Sequence, residues 1–226
     1  MQDGAIGSPT VLRPMFISVG HDRIARRFTQ LLAGLVICGF GIGLTLQSGL
    51  GVPPWDVLHH GLSLRFGLSI GVWAVIVSAL VLLLWIPLRE PFGVGTILNA
   101  VIIGVMIDVT AWLVPPAAGW WLAWPMVLAG TVMFGLGSGM YIGARLGPGP
   151  RDGLMTAIAR RGLSIRLTRS VLEIVVLVSG ILLGGSFGVG TVIFALAIGP
   201  LVQFFLPRWS ITPTLSSDPD RGLAQK

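Results

Sequence analysis

Charge is scarce in this chain. Lys, Arg, Asp and Glu make up 11% of its 226 residues, where a soluble domain carries about 25%. A surface so poor in charge is not wetted on all sides, which argues against a freely soluble globule. Cysteine is nearly absent as well. Cys38 stands alone, so no intramolecular disulfide forms and no thiolate metal spacing exists; Cys38 reads as a small packing residue. No phosphate-binding loop and no zinc signature occurs. Residues 1–22 are mixed polar and carry no short apolar core followed by a small-residue cleavage site, so the first apolar run reads as a retained helix.

What the chain has instead is apolar length. It is 54% hydrophobic with a mean hydropathy of +0.87, and several runs approach the ~20 residues that cross a hydrocarbon core of about 30 Å. Its 32 glycines lack a collagen period and suit close helix approach in a membrane. The sequence pI near 11.2 does not point to nucleic acid, because the basic residues sit at the ends of apolar runs rather than on a soluble domain.

The expected order is a basic arm over residues 1–25, a first membrane repeat over 26–114, a second over 115–206 and a flexible tail over 207–226. Within it, six spanning helices are expected near residues 28–48, 69–88, 93–114, 121–144, 165–183 and 189–206. Short mixed-polarity segments are expected at 54–66 and 150–162. Trp112, Trp120, Trp121 and Trp124 flank the Pro115-Pro116 turn as an aromatic belt would.

The halves repeat. Gly39, Gly41 and Gly43 recur as Gly135, Gly137 and Gly139; Leu50, Gly51, Pro54, Asp56 and Leu58 recur as Leu146, Gly147, Pro150, Asp152 and Leu154, all shifted by 96. After one deletion the shift becomes 95: Gly67-Leu68-Ser69-Ile70 matches 162–165, Phe92-Gly93-Val94-Gly95-Thr96 matches 187–191, and Ile103-Gly104 matches 198–199. A near-constant shift over separated blocks marks duplication. With six crossings, 14 of the 15 basic residues fall on one side, Arg65 alone falling opposite. The positive-inside rule then puts both termini in the cytoplasm. Three crossings per repeat make the halves inverted, the plan of many secondary transporters. The expected fold class is therefore all-α, two inverted three-helix repeats, each with a short re-entrant or interfacial helix.

The chemistry gathers on the short segments. Pro54 and Pro150 suit a first helical turn. Asp56 and Asp152, two residues on, meet the positive end of the helix dipole, with Arg151 beside the second. A carboxylate is costly in a bilayer, so these residues read either as a central polar site for a cation, proton or solute, or as caps at the membrane surface paired to an arginine. Arg169 and Glu173 are spaced i,i+4 and read as an ion pair or a gate. Asp108 and its repeat counterpart Gln203 either line a polar path or sit at an interface. His59 and His60 are neighbours that point apart on a helix and make no two-His metal site; His60, four residues after Asp56, is in position to hydrogen-bond it, as an interfacial histidine or as a proton relay. Gly184-Gly185-Ser186-Phe187-Gly188 has the letters of a hydrolase elbow, but no strand precedes it and no histidine follows. The GxxxG pairs Gly39/Gly43 and Gly135/Gly139 read as close helix packing.

Leu-Gly-x-x-Pro-Trp-Asp-Val-Leu-His at 50–59, Gly-Pro-Arg-Asp-Gly-Leu-Met at 149–155, Arg169 with Glu173, and Gly-x-Gly-Thr before Ile198-Gly199-Pro200 resemble the YitT/YczE family of bacterial membrane proteins over about residues 28–206. The resemblance implies a polytopic membrane protein described as a transporter, with no substrate or site to carry over. The expectation is a small-solute or ion transporter without catalytic residue, cofactor or metal. The alternative is a non-transporting scaffold or accessory protein whose basic loop, Arg145 to Arg169, docks a protein partner or attracts anionic lipid. The bilayer itself is the expected partner; nucleic acid is not.

Overall fold

Proline starts both short polar segments, and both are helices. The computed structural model describes residues 23–211. Among these, eight α-helices follow one another and there is no strand: α1 (Ile24–Ser48), α2 (Pro54–Phe66), α3 (Ile70–Leu88), α4 (Val94–Leu113), α5 (Trp120–Gly143), α6 (Pro150–Ala159), α7 (Ile165–Leu182) and α8 (Val189–Trp209). Five of them, α1, α3, α4, α5 and α8, are long and apolar enough to cross a membrane. The shortest has 19 residues, about 28 Å at 1.5 Å per residue. Their outer faces stay apolar, as with Leu80, Leu83, Leu84 and Ile86 on α3, all more than half exposed. In water such a patch is a liability; in a bilayer it is the required surface. The chain is a membrane protein that presents lipid-facing helices.

α7 stands apart from the five. It has 18 residues and carries Arg166, Arg169 and Glu173, so the expected sixth span is a helix of marginal length and higher polarity. The tail also begins later than the expected break at 206: α8 runs through Pro207 to Trp209, and the Ile211 amide donates to the Gly143 carbonyl at 3.1 Å. Residues 1–22 and 212–226, most of the expected arm and tail, lie outside the described residues.

Glycine sets the centre. α1 and α5 cross antiparallel, with Gly34 against Gly137 and Gly41 against Gly130; a Cβ on Gly34 would sit 2.8 Å from the Gly137 carbonyl oxygen, and one on Gly41 2.6 Å from that of Gly130. Backbone meets backbone here because neither helix carries a side chain at the crossing. The GxxxG glycines do pack closely, but on the neighbouring helices: Gly39 and Gly43 face Met106 and Thr110 on α4, Gly135 and Gly139 face Leu201 and Phe205 on α8. Gln30 ties the crossing at one end, donating to Met140 O at 2.9 Å and Trp209 O at 2.7 Å.

The recurrent Phe-Gly-Val-Gly-Thr has a local reason. Thr96 and Thr191 accept from the backbone N–H of Gly93 and Gly188, both at 3.3 Å, at the starts of α4 and α8. The second glycine of each copy donates across to the other half: Gly95 N–H to Leu146 O at 2.9 Å, Gly190 N–H to Leu50 O at 2.7 Å. The loops that accept these bonds turn on Gly51 (φ 109°) and Gly147 (φ 130°), conformations that L side chains avoid.

Two contacts depart from this reciprocity. α2 lies close on α7 through Gly61 and Gly180, where a Cβ on Gly180 would be 2.5 Å from Leu58 N. On the other side, Trp85 of α3 occupies the position that repeats as Gly180, and its ring fills the space over Gly153 of α6. Trp85 is fully buried, donates Nε1–H to Pro150 O at 3.2 Å and stacks on Phe92. The second departure concerns the seams. α3 packs along α4 through Gly71 and Gly104, and Asp108 of α4 accepts from the Ser69 hydroxyl at 2.5 Å and the Gly71 N–H at 2.9 Å. No comparable seam joins α7 to α8. At Gly199, the repeat counterpart of Gly104, a Cβ would meet nothing within 4 Å.

Candidate functional site

The N-terminal turns of α2 and α6 converge on a cavity of about 260 Å³. Pro54 and Pro150 each occupy the first turn, so no amide is wasted there, and both line the cavity. Asp56 and Asp152 follow in the same turns, near the positive ends of their helices.

The two aspartates are held differently. Asp56 is 1% exposed and lies behind the cavity wall. Its Oδ1 is 2.9 Å from His59 Nδ1 and 3.6 Å from Arg151 Nη2. Arg151 therefore bridges the two short helices, and its guanidinium also lies 5.1 Å over the Trp55 ring, a favourable face for a cation. Asp152 lines the cavity itself and accepts one hydrogen bond, from the Tyr141 hydroxyl at 2.7 Å. Among the described residues no basic side chain is in ion-pair contact with Asp152. Asp56 Oδ2, His59 Nε2 and Trp55 Nε1 are buried without a protein partner among the described residues. Groups of this kind are costly in a low-dielectric interior and persist where they have a use.

The remaining wall is mixed. Ile42, Ile103, Phe134, Phe194 and Ile198 supply apolar surface, and Asn99 and Ser138 supply polar atoms. Arg169 and Glu173 line it from α7 as the expected pair, Nε to Oε1 at 3.0 Å, half and about one-third exposed. Gln203 lines it from α8. The pair and Gln203 stand on either side of the α7–α8 gap.

Asp108 is not in the wall. It caps α3 from α4, accepting from Ser69 and the Gly71 N–H. His60 does not bond Asp56. Its Nδ1 accepts from the Ser186 N–H at 3.1 Å, because that face of α2 turns toward the loop before α8, and His59, three residues on, takes the carboxylate. Sequence spacing missed Tyr141, the one tyrosine in the chain, and the ion pair of Glu90 with Arg160 between the α3–α4 turn and the end of α6. The rarity of tyrosine in an apolar helix was the available signal for the first. For the second there was none, since the two residues are 70 apart.

The chain has relatives among known proteins. Residues 25–207 match a family described as "Family of unknown function (DUF6198)". An uncharacterised protein of Haemophilus influenzae is 43% identical over 177 residues, covering 78% of this chain and 81% of its own. The uncharacterised membrane protein YczE of Bacillus subtilis is 36% identical over 190 residues, 83% of this chain and 88% of its own. A second Bacillus subtilis protein, YyaS, is 33% identical over 182 residues, 77% and 89% of the two chains. No solved structure matches. The match spans all eight helices but for the ends of the first and last, and on it the chain belongs to the DUF6198 family of YczE-like membrane proteins.

Proposed function

We propose that this protein carries a small solute or ion across the bacterial cytoplasmic membrane and performs no covalent chemistry. The observation that carries the reading is the cavity: the first turns of two short, proline-started helices meet there, and Arg151 and Asp152 of α6 with Arg169 and Glu173 of α7 face a common space inside a body whose outer faces are apolar. Polar groups at such depth are tolerated where they line a path or a site. In this reading α7 is the sixth span, both termini are cytoplasmic, and the halves are inverted repeats. The antiparallel crossing of α1 and α5 and the reciprocal Leu50–Gly190 and Leu146–Gly95 bonds support that relation. The zipped α3–α4 seam and the parted α7–α8 seam then correspond to one of two mirror states, and exchange between them gives alternating access.

A ligand-stabilisation screen on purified protein, run beside Asp56→Asn and Asp152→Asn, tests this. A bound solute at about 100 times its dissociation constant adds about 2.7 kcal/mol. The expected result is a solute that stabilises the wild type, is lost in Asp152→Asn, and moves across proteoliposome membranes. A broad panel that stabilises nothing while both variants fold refutes the reading. It would favour the accessory role, for which the exposed Arg161 and Arg166 offer a docking surface for anionic lipid or a partner.

A further inference from the structure

We propose that the cavity binds a monovalent organic cation, held at Asp152 and admitted from the bilayer between α7 and α8. The inference rests on the transport reading and names its substrate class. The charges decide the sign. Arg151 is matched by Asp56, and Arg169 by Glu173. Asp152 is left over, so three carboxylates face two guanidiniums and the cluster carries one net negative charge. A carboxylate lining a cavity inside a membrane protein is stabilised by a counter-charge, and Tyr141 supplies a hydrogen bond but no charge. An anionic ligand would add a second unmatched negative charge; a neutral one would leave the first.

The rest of the wall fits the same class. Phe134 and Phe194 lie edge to face with centroids 5.1 Å apart and both line the cavity; aromatic surface attracts ammonium groups. Ile42 and Ile198 add apolar area for the organic part. The opening fits too. Gly199 and Gln203 of α8 face Arg169 and Glu173 of α7 across the gap, and nothing stands before Gly199. A lipophilic cation partitions into the interface of a bilayer and reaches such a mouth sideways.

The test uses full-length protein in detergent with three probes of similar size: benzyltrimethylammonium, its uncharged carbon isostere neopentylbenzene, and benzenesulfonate. A quaternary ammonium neither donates a hydrogen bond nor loses its charge, so the comparison isolates the charge. Wild type is expected to bind the ammonium at least about tenfold more tightly than the isostere and to reject the sulfonate, about 1.4 kcal/mol per decade. Asp152→Asn removes that preference and leaves isostere binding within about twofold. Gly199→Leu, placed where space is open, slows the association of both ammonium and isostere.

Equal binding of ammonium and isostere by the wild type overturns the proposal without any variant, and so does preference for the sulfonate. An unchanged association rate in Gly199→Leu overturns the lateral mouth. The outcomes also separate the two readings. A neutral or anionic solute that is bound and transported sinks the cation class and keeps transport. Ammonium binding with no flux in proteoliposomes keeps the site and sinks transport.

Discussion

Gly104 and Gly199 occupy the same place in the two halves, and the structure gives them opposite surroundings. Alanine at Gly104 would bring a Cβ to 2.6 Å from Gly71 O and 2.7 Å from Val75 Cγ2, against an ordinary contact of 3.4 Å or more. α3 must therefore move from α4 by about 0.8 Å, and the bonds from Ser69 and Gly71 to Asp108 resist it. Overpacking of this kind costs about 1–3 kcal/mol, and the obstacle is backbone, so the upper part of the range applies. Helix propensity returns up to about 1 kcal/mol for Gly to Ala. The net expectation for Gly104→Ala is a loss of about 1–2 kcal/mol. At Gly199 the clash is absent and only the propensity gain remains, so Gly199→Ala is neutral or stabilising by up to about 1 kcal/mol. Thermal unfolding of both variants in one detergent reads the difference, at about 2–4 °C per kcal/mol for a chain of this size. If Gly199→Ala loses as much as Gly104→Ala, α7 packs on α8 in solution and the account of an open side is wrong.

Two further outcomes follow from the same packing. Arg151→Leu leaves the buried Asp56 carboxylate without its guanidinium and is expected to cost about 3 kcal/mol; adding Asp56→Asn should restore most of it, and a double-mutant cycle without coupling would show that the 3.6 Å approach is idle. Trp85→Ala empties a fully buried site over Gly153 and frees the Pro150 carbonyl, an expected loss of about 3–5 kcal/mol; a loss below 1 kcal/mol in chemical or thermal unfolding would mean that α6 does not rest on this ring.

The helices were legible in the chain because their ends carry local signals. Pro54 and Pro150 mark first turns, Ser69 caps α3 by accepting from Val72 N–H, and the Gly-x-Gly-Thr pairs open α4 and α8. Each expected helix lies within a few residues of the observed one. Arg169 with Glu173 was legible for the same reason, being one turn apart on one helix. What spacing does not report is how a helix is rotated in its body. That rotation gives Asp56 to His59 rather than His60, brings Tyr141 to Asp152, and takes Asp108 out of the cavity wall. The difference between the α3–α4 and α7–α8 seams was also hidden. Gly71 lies against Gly104 in the first half, and the second half has an exposed Arg166 at the place of Gly71, a difference that spacing alone does not turn into a parted seam.

The paired loop bonds bear on how the chain is made. Leu50 O waits for Gly190 N–H, and Leu146 O closes on Gly95 N–H, so each half holds the start of the other's last helix. A ribosome releases residues 24–113 well before residue 190 exists. Until residues 120–146 emerge, α4 has no partner for its first turn and α1 has no α5 to cross, and Leu50 O waits longer still. The first half must dwell in the insertion machinery or against lipid as an unfinished object, and the last helix to emerge locks the earliest loop.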